Sequence, residues 1–459
     1  MLEVHNPFSR ELRATIPLAD ERELDRVVAA AHAAFESFRS EPAFRRADLL
    51  QRIASLIESR KAEFARTIMN EAGKPIALAE AEVDRAVWTF ISASNEARQF
   101  HGETLAADAF PSGAGHFAIA KRFPLGVVYG ITPFNFPLNL VAHKVAPAIA
   151  SGNTIVIKPS PKAPMSARLL AQVIAEAGAP PSIVRIVVCD NALAMRLIDD
   201  PRVRFVSFTG SVPVGWQVNE AAAHAKKRAT LELGGNAGVI VHGDADIDRA
   251  IDPIARGAFA YAGRSCISVQ RVFIHESIYD GFLELFVAHV RRKIRCGDPS
   301  DANVLVGPMI DPDAQRKTLA AIEAARQSGA TVLCGGDAEG PCVQPTVIAN
   351  ARPDQDVCAN EIFAPVIVVD RYSDFTAAIA RVNDSPFGLQ AGVFTRDISL
   401  ALRAFDELRV GGVMINQVPT FRLENMPYGG VKDSGQGREG VRFAMEEMTE
   451  LRTLVVRTE

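Results

Sequence analysis

Residues 126–158 read GVVYGITPFNFPLNLVAHKVAPAIASGNTIVIK. This stretch begins and ends with short β-rich runs, Gly126–Ile131 and Thr154–Lys158. Three similar runs follow, at 183–188, 204–208 and 238–241. Helical patterns lie between several of these runs, at 163–177, 191–199 and 212–225. Strands that alternate with helices in this way are typical of βαβ units, so the sequence predicts an α/β fold with a parallel sheet.

The residues on either side extend this pattern. Asp20 is a candidate N-cap for an amphipathic helix, and two more helices are expected at about 42–70 and 75–100. Aromatic and small residues alternate from 108 to 121, which predicts an extended hairpin. A second α/β series is expected after residue 244, with helices at 247–261, 277–294 and 314–328 and strands at 269–274 and 331–333. A further helix–strand series runs from 375 to 415, so two closely packed α/β domains are expected.

The composition argues against several classes of partner. The chain has 459 residues and a formal net charge of −4, without the basic surface that nucleic-acid binding needs. Its longest apolar stretch, Leu138 to Ala150, is interrupted by His143 and Lys144, and about 18 apolar residues are needed to span a membrane. Residues 1–10 lack the apolar core of a signal peptide. We therefore expect a cytoplasmic protein that binds neither nucleic acid nor membrane.

Six cysteines, at 189, 266, 296, 334, 342 and 358, contain no CxxC pair. This spacing disfavours structural zinc and a disulfide framework, so no metal site is expected, and most of the thiols should be buried apolar side chains. Cys266 differs because Gly263 and Ser265 precede it at a junction between a helical pattern and a β-rich run. A thiol at such a junction can meet a substrate, so Cys266 is a candidate nucleophile.

Three more side chains carry possible chemistry. Glu232 follows a β-rich run and precedes two glycines, where it could act as a general base or be only an exposed acid. Asn135 lies between two prolines in a rigid loop, where its amide could stabilise an oxyanion or form a simple turn. Lys158 ends a buried run at the ligand-binding edge of a parallel sheet. A strand–turn–helix junction at 208–215 could face a pyrophosphate, although it lacks the GxGxxG fingerprint.

Taken in order, these elements resemble the aldehyde dehydrogenase superfamily over nearly the whole chain. The matching motifs are PFNFP at 133–137, IKPS at 157–160, FTGS at 208–211, ELGG at 232–235, the Gly-x-x-Cys at 263–266, EIFAP at 361–365, SPFGL at 385–389 and MPYGGVKDSGQGREG at 426–440. The segments 261–275 and 421–447 are most similar to the branch of lactaldehyde, phosphonoacetaldehyde and non-phosphorylating glyceraldehyde-3-phosphate dehydrogenases.

The resemblance implies a three-part α/β fold. A Rossmann-like cofactor domain would comprise residues 1–107 and 126–234, and an α/β catalytic domain residues 235–440. Residues 108–125 and 441–459 would form a small β oligomerisation element, with the hairpin and the tail pairing across subunits. Since exposed strand edges need partners, a homodimer or homotetramer is expected.

The resemblance also assigns catalytic roles. Cys266 would attack the aldehyde carbonyl, and Asn135 with the Cys266 backbone N–H would hold the oxyanion. Loss of hydride from the thiohemiacetal would leave a thioester, and Glu232 would activate the water that hydrolyses it. Lys144 and Glu439 match positions that assist proton exit from this glutamate.

NAD or NADP is the implied cofactor. Lys158 would contact the adenosine ribose and Glu361 the nicotinamide ribose, with Phe363 packed nearby. The rest of the cofactor cleft would consist of Ile131, Thr132, Pro133, Phe134, Ser160, Lys162, Phe208, Thr209, Gly210, Ser211, Val214, Leu233 and Gly234. Pro161 stands where many members have an acid that binds both ribose hydroxyls, and Lys162 follows it. Lys162 could attract a 2′-phosphate or be solvated, so both cofactors stay open.

Arginines indicate the substrate. Arg264 stands where the family commonly has Gln, Arg422 lies in the segment that lines the substrate entrance, and Arg85 could join them. Because guanidinium groups bind anionic oxygens, the expected substrate is a small anionic aldehyde, with phosphonoacetaldehyde favoured. Lactaldehyde, glyceraldehyde-3-phosphate and succinate semialdehyde stay open.

Three other functions compete with this interpretation. A CoA-acylating enzyme would not need Glu232 as a base for water. A cofactor-independent thiol hydrolase would leave the 208–215 and 361–365 motifs unexplained. A catalytically silent homologue would be expected to have lost Cys266, Glu232 or Asn135.

Overall fold

The computed structural model describes residues 1–458. The helices in these residues are α1 Glu21–Phe38, α2 Ala43–Ser59, α3 Lys61–Ala72, α4 Ile76–Gln99, α5 Asn139–Ser151, α6 Met165–Glu176, α7 Asn191–Asp199, α8 Val212–His224, α9 Ile247–Phe259, α10 Tyr279–Lys293, α11 Pro312–Gln327, α12 Asp356–Ala359, α13 Phe375–Asn383, α14 Ile398–Glu407 and α15 Val441–Glu447. Within this part of the chain, none of them is long and apolar enough to cross a membrane.

The strands form two large sheets and several small ones. They are β1 Leu2–His5, β2 Leu12–Ile16, β3 Glu103–Leu105, β4 His116–Pro124, β5 Val127–Ile131, β6 Thr154–Lys158, β7 Val184–Ile186, β8 Val203–Thr209, β9 Arg228–Glu232, β10 Ala237–Val241, β11 Val269–His275, β12 Thr331–Cys334, β13 Ala338–Glu339, β14 Cys342–Val343, β15 Thr346–Ala349, β16 Val366–Tyr372, β17 Gln390–Phe394, β18 Gly412–Ile415, β19 Gly435–Gln436 and β20 Thr449–Arg457.

The first large sheet has six strands in the order β19-β9-β8-β5-β6-β7. All are parallel except β19, which runs antiparallel to β9. Apolar residues of α2 to α6 cover one face of this sheet, and those of α1, α7 and α8 cover the other. The predicted α/β fold is therefore confirmed. The chain order reverses at β5, where open α/β sheets bind ligands at the carboxyl ends of their strands.

The second large sheet has seven strands in the order β12-β15-β16-β11-β10-β17-β18. Only the edge strand β12 is antiparallel to its neighbour. Helices α9, α10 and α11 pack on one face and α13 on the other. Residues 233–236 lead directly from β9 of the first sheet to β10 of the second. The loops of both sheets therefore meet in one cleft.

The third sheet, β20-β4-β3, differs from the predicted bounds of the hairpin and of the C-terminal tail. The hairpin predicted inside 108–121 is formed instead by β3 and β4, with two short 3-10 turns between them. The tail pairs with β4 of its own chain along nine residues, while the other edge of β20 has no partner among residues 1–458. Residues 441–448 do not belong with this tail, because Val441, Met445 and Met448 are buried against α4 and α5. Glu459 lies outside the described residues.

The N-terminal region also differs from the prediction. Residues 1–16 contain a strand pair, β1 and β2, whose buried Val4 and Ile16 pack on Val188. The helix predicted over 42–70 is interrupted at Arg60, whose guanidinium group bridges Glu63 and Glu176. The predicted cap is confirmed, since the Asp20 carboxylate accepts a 2.8 Å hydrogen bond from the Glu23 N–H.

Candidate active site

The loops that follow β5, β8 and β9 meet loops of the second large sheet and the segment 421–439 around a cavity of about 280 Å³. Most of the predicted site residues line this cavity: Pro133, Phe134, Asn135, Thr209, Gly210, Ser211, Glu232, Leu233, Gly234, Cys266, Glu361, Phe363, Glu439, Arg85 and Arg422. The fold therefore brings together residues that are up to 354 positions apart in the sequence, from Arg85 to Glu439.

The loop that carries Cys266, residues 261–268, begins with an unusual turn. Tyr261, Ala262 and Gly263 all have a positive φ, of 55°, 55° and 65°. Residues other than glycine disfavour this conformation, and such backbone strain is concentrated at functional sites. A Cβ atom on Gly263 would lie 2.1 Å from the Ala364 carbonyl oxygen, so glycine is required there. The turn ends α9 abruptly and directs Cys266 into the cavity.

The Cys266 thiol forms a hydrogen bond with a tyrosine and not with a histidine. Its Sγ lies 3.0 Å from the Tyr428 hydroxyl oxygen. Burial raises the pKa of the Cys266 thiol to about 12, and the hydrogen bond with Tyr428 and the charge of Arg422 only partly oppose this rise. The thiol is therefore neutral in this state. Sequence reasoning missed Tyr428, because its place in the PYGG motif does not show that residues 416–430 fold over Cys266.

Asn135 is held beside the Cys266 loop. Its Nδ2 donates a 3.2 Å hydrogen bond to the Arg264 carbonyl oxygen, and its Oδ1 has no partner among residues 1–458. A second Nδ2 hydrogen remains for an oxyanion. The helix that follows this loop, α5, is capped by Glu82, whose Oε1 accepts hydrogen bonds from the backbone N–H groups of Leu138 and Asn139. The amide is thus fixed from both sides.

Two buried carboxyl groups share one proton near Cys266. Burial and the neighbouring Glu439 raise the pKa of Glu232, whose oxygens have no hydrogen-bond partner among residues 1–458. Burial would also raise the pKa of Glu439, but the cations of Lys144 and Arg422 outweigh it and lower this pKa to about 2. The proton therefore resides on Glu232. Lys144 does not line the cavity, but its Nζ reaches Glu439 Oε1 at 3.4 Å and Thr209 Oγ1 at 2.8 Å.

The residues opposite Cys266 fit a dinucleotide. Burial raises the pKa of Glu361 to about 7, and its Oε1 accepts one hydrogen bond, from the Gly235 N–H at 3.2 Å. Its Oε2 has no partner among residues 1–458, so it can accept a hydrogen bond from a ribose hydroxyl. A Cβ on Gly234 would lie 2.1 Å from this Oε2, so the close approach requires glycine. The Phe134 and Phe363 rings meet edge to face 6.1 Å apart beside it.

Other predicted cofactor residues lie at the same sheet edge without lining the cavity. Lys158 ends β6, and its Nζ donates a 3.1 Å hydrogen bond to Asn191. Lys162 forms an ion pair with Asp311, the N-cap residue of α11, so a 2′-phosphate would compete with this carboxylate. The remaining members of this group occupy the ends of β5 and β8, the loop after β6 and the first turn of α8: Ile131, Thr132, Ser160, Phe208 and Val214.

Arg264 requires a correction. Its side chain is fully buried, and Nη2 donates a 3.0 Å hydrogen bond to the Ala72 carbonyl oxygen. The guanidinium carbon stacks 4.0 Å from the centre of the Tyr261 ring. The side chain therefore points away from the substrate cavity and supports the strained turn before Cys266. Because Arg264 does not line the cavity, the prediction that it anchors the substrate is wrong.

Arg85 and Arg422 do line the cavity, and each is held by a carboxylate: Arg85 by Glu424, which sequence reasoning missed, and Arg422 by Glu439. Glu424 Oε1 accepts a 2.7 Å hydrogen bond from Arg85 Nε, and Glu424 Oε2 bonds to His143. Arg422 donates to Glu439 Oε2 at 3.0 Å. Arg85 Nη2 and Arg422 Nε have no hydrogen-bond partner among residues 1–458. Two side chains that line the cavity therefore each keep one buried N–H donor that no described residue uses.

Comparison with known proteins agrees with this geometry. The model of the aldehyde dehydrogenase family matches residues 1–454. The 3-sulfolactaldehyde dehydrogenase of Priestia megaterium is 37% identical over 99% of this chain and 94% of its own length. The lactaldehyde dehydrogenase of Methanococcus aeolicus is also 37% identical, over 100% of this chain and 97% of its own. The crystal structure of the glyceraldehyde-3-phosphate dehydrogenase GapN of Methanocaldococcus jannaschii, complexed with NADP, superimposes with a TM-score of 0.95 at 36% identity, covering 100% of this chain and 99% of that one.

Proposed function

This chain belongs to the aldehyde dehydrogenase family and is an NAD(P)-dependent oxidoreductase acting on aldehydes, and from this premise we propose that its substrate is a short aldehyde with a distal anionic group. The observation that carries the proposal is the pair of unpartnered donors, Arg85 Nη2 and Arg422 Nε, in side chains that line the cavity. Arginine remains charged and offers paired donors to phosphonate, sulfonate or carboxylate oxygens.

The size and charge of the cavity support a small anion. Its volume of about 280 Å³ is at the lower limit of ordinary ligand pockets. Glu424 and Glu439 neutralise part of the arginine charge, while the proton on Glu232 and the nearby Lys144 limit the negative charge around the cavity. Phosphonoacetaldehyde is our first candidate, because its phosphonate oxygens can accept from both arginines. Sulfonated aldehydes and succinate semialdehyde have the same arrangement of groups.

The site residues suggest how oxidation proceeds. Cys266 Sγ adds to the aldehyde carbon, and Asn135 Nδ2 with the Cys266 backbone N–H holds the oxygen that becomes negative. A bound nicotinamide cofactor would supply the hydride acceptor, and Glu361 and Lys158 would hold its riboses. The thioester left on Cys266 is cleaved by water once Glu232 has lost its proton to solvent, past Lys144 and Glu439, and can accept a proton from the attacking water; the acid product leaves and the Cys266 thiol is restored. Asn135 and the Cys266 N–H thus act before the oxidation, and Glu232 acts after it.

Arg85→Ala provides the test, with Arg98→Ala as the matched control. Both arginines lie on α4, but Arg98 pairs with Asp48 at the surface, away from the cavity. The measurement is kcat/KM for phosphonoacetaldehyde, sulfoacetaldehyde, succinate semialdehyde, glyceraldehyde-3-phosphate, lactaldehyde and propanal, each with NAD and NADP.

We expect the wild-type enzyme to prefer one of the anionic aldehydes to propanal by about 100-fold, which corresponds to about 2.7 kcal/mol of transition-state discrimination. Arg85→Ala should lose about tenfold or more of this preference, because a hydrogen bond to a charged group contributes about 1.5–3 kcal/mol. Arg98→Ala should keep it. A preference for lactaldehyde or propanal, unchanged in Arg85→Ala, would leave the family membership intact and exclude the anionic substrate.

A further inference from the structure

Tyr428 is the one side chain among residues 1–458 that forms a hydrogen bond with the Cys266 thiol, at 3.0 Å between Oη and Sγ. Two backbone hydrogen bonds with Glu439 fix its position in the chain. Its ring packs against Ile267 and Leu389, and the Arg422 guanidinium carbon lies 3.8 Å from the ring centre. The hydroxyl is therefore held against the sulfur by a ring that cannot easily turn away.

We propose that Tyr428 is a catalytic residue whose hydroxyl donates a hydrogen bond to the Cys266 thiolate, which stabilises the nucleophile and directs its attack. Hydrogen bonds to the charged form of a group favour that form. The proposal rests on Cys266 as the nucleophile, a role that is part of the proposed function.

Few groups around the sulfur can stabilise the Cys266 thiolate, and Tyr428 is one of them. Burial disfavours a negative charge on the sulfur most strongly, and the neighbouring Glu361 carboxylate disfavours it further. The Tyr428 hydrogen bond and the Arg422 charge are the two contributions that lower the thiol pKa. Burial raises the pKa of Tyr428 itself, and the neighbouring Cys266 raises it further. The phenol therefore keeps its proton and remains the donor when the thiol ionises.

The step that Tyr428 assists is the attack on the aldehyde. The thiol releases its proton to solvent, and an Sγ electron pair forms the bond to the carbonyl carbon. The π electrons of the C=O bond move to the oxygen, beside the Asn135 amide. Tyr428 neither gains nor loses a proton. Since a sulfur bonded to two carbons accepts hydrogen bonds weakly, the contact acts on the thiolate and weakens as the product of attack forms.

Tyr428→Phe removes the hydroxyl and keeps the ring beside Arg422. Without the donor, the thiol pKa should rise by about one to two units. A thiolate of higher pKa is intrinsically more nucleophilic, with a Brønsted coefficient of about 0.4–0.5, so part of the loss is compensated. Alkylation of Cys266 by iodoacetamide near neutral pH, followed by intact mass, should therefore slow about three- to tenfold. The first-turnover rate of reduced nicotinamide formation should fall by a similar factor, with an unchanged KM for the cofactor.

Tyr129→Phe is the matched control. Tyr129 is a fully buried tyrosine of β5 whose hydroxyl has no partner among residues 1–458. This variant should alkylate and turn over as the wild type does. As a second measurement, a fluorinated tyrosine placed at 428 is a stronger donor and should accelerate alkylation.

The outcomes separate the two proposals. Equal alkylation rates for the wild type, Tyr428→Phe and the fluorinated protein would show that the hydroxyl does not act on the thiol, and the role of Tyr428 would be wrong. Full turnover after complete alkylation of Cys266 would instead contradict Cys266 as the nucleophile, and with it the proposed function.

Discussion

Single side chains in this site are controlled by their neighbours as much as by their own chemistry. Glu232 and Glu439 are both buried carboxyl groups, yet Lys144 and Arg422 keep one ionised while the other holds a proton. A general base must be ionised to accept a proton from water. In the state described by the structure, Glu232 is therefore prepared to become a base but does not yet act as one.

This arrangement predicts a pH dependence for release of the acid product. The pKa of Glu232 is raised, so the carboxyl group is protonated at low pH and ionises as the pH increases through that raised value. Thioester hydrolysis should accelerate over the same range. Rapid mixing followed by acid quench measures the decay of the acyl-enzyme at each pH. A decay rate that is constant from acidic to mildly alkaline pH would argue against Glu232 as the base.

Sequence motifs predicted which residues surround the cavity but not where each side chain points. Cys266, Glu232 and Asn135 are found together, as their motifs predict. Arg264 is only two residues from Cys266, yet the left-handed turn before it sends its side chain to Ala72. Tyr428 and Glu424 belong to a loop whose path over the cavity depends on tertiary packing. Local patterns carry no information about such long-range contacts.

At the scale of secondary structure, the turn between α3 and α4 supports both loops of the active site. Lys74 in this turn is fully buried and bonds to Glu82, which caps α5 after the Asn135 loop. The Lys74 Nζ also lies 3.7 Å from the centre of the Phe136 ring and 4.3 Å from that of Tyr261. One buried ion pair therefore connects the loop of Asn135 with the loop of Cys266.

Lys74→Met should destabilise the protein by about 3–5 kcal/mol, because it leaves the Glu82 carboxylate buried without its partner. The double variant Lys74→Met/Glu82→Gln removes both charges and should regain part of that loss. Urea unfolding followed by circular dichroism gives the free energies. If the single variant were as stable as the wild type, the ion pair would not support these loops.

Elements with long regular patterns were predicted well, and short ones were not. The helix predicted over 75–100 is observed at 76–99, whereas β1 and β2 have only four and five residues and too little alternation to be recognised. At the break, Arg60 pairs with Glu176 of α6, more than a hundred residues away, a contact that local patterns do not show. Such interruptions are decided by tertiary contacts that override local helix propensity.

For the whole molecule, the free edge of β20 makes association with a second chain the expected state. Side chains 450–457 are exposed, and exposed strand edges tend to pair. We therefore expect light scattering after gel filtration to give the mass of two or more chains. Leu454→Asp in β20 should shift the population toward smaller species, whereas Leu285→Asp, at an equally exposed leucine of α10, should not. A wild-type protein with the mass of one chain would contradict this expectation.

The most direct test of the account is to trap the acyl-enzyme in Glu232→Gln. This variant keeps Cys266 and Asn135 but lacks the base that releases the product. With aldehyde and NAD(P) it should form one equivalent of reduced nicotinamide per active site and then stop, and intact mass should show an acyl group on Cys266. Continued turnover at the wild-type rate, without an adduct on Cys266, would contradict oxidation through a Cys266 thioester that Glu232 hydrolyses.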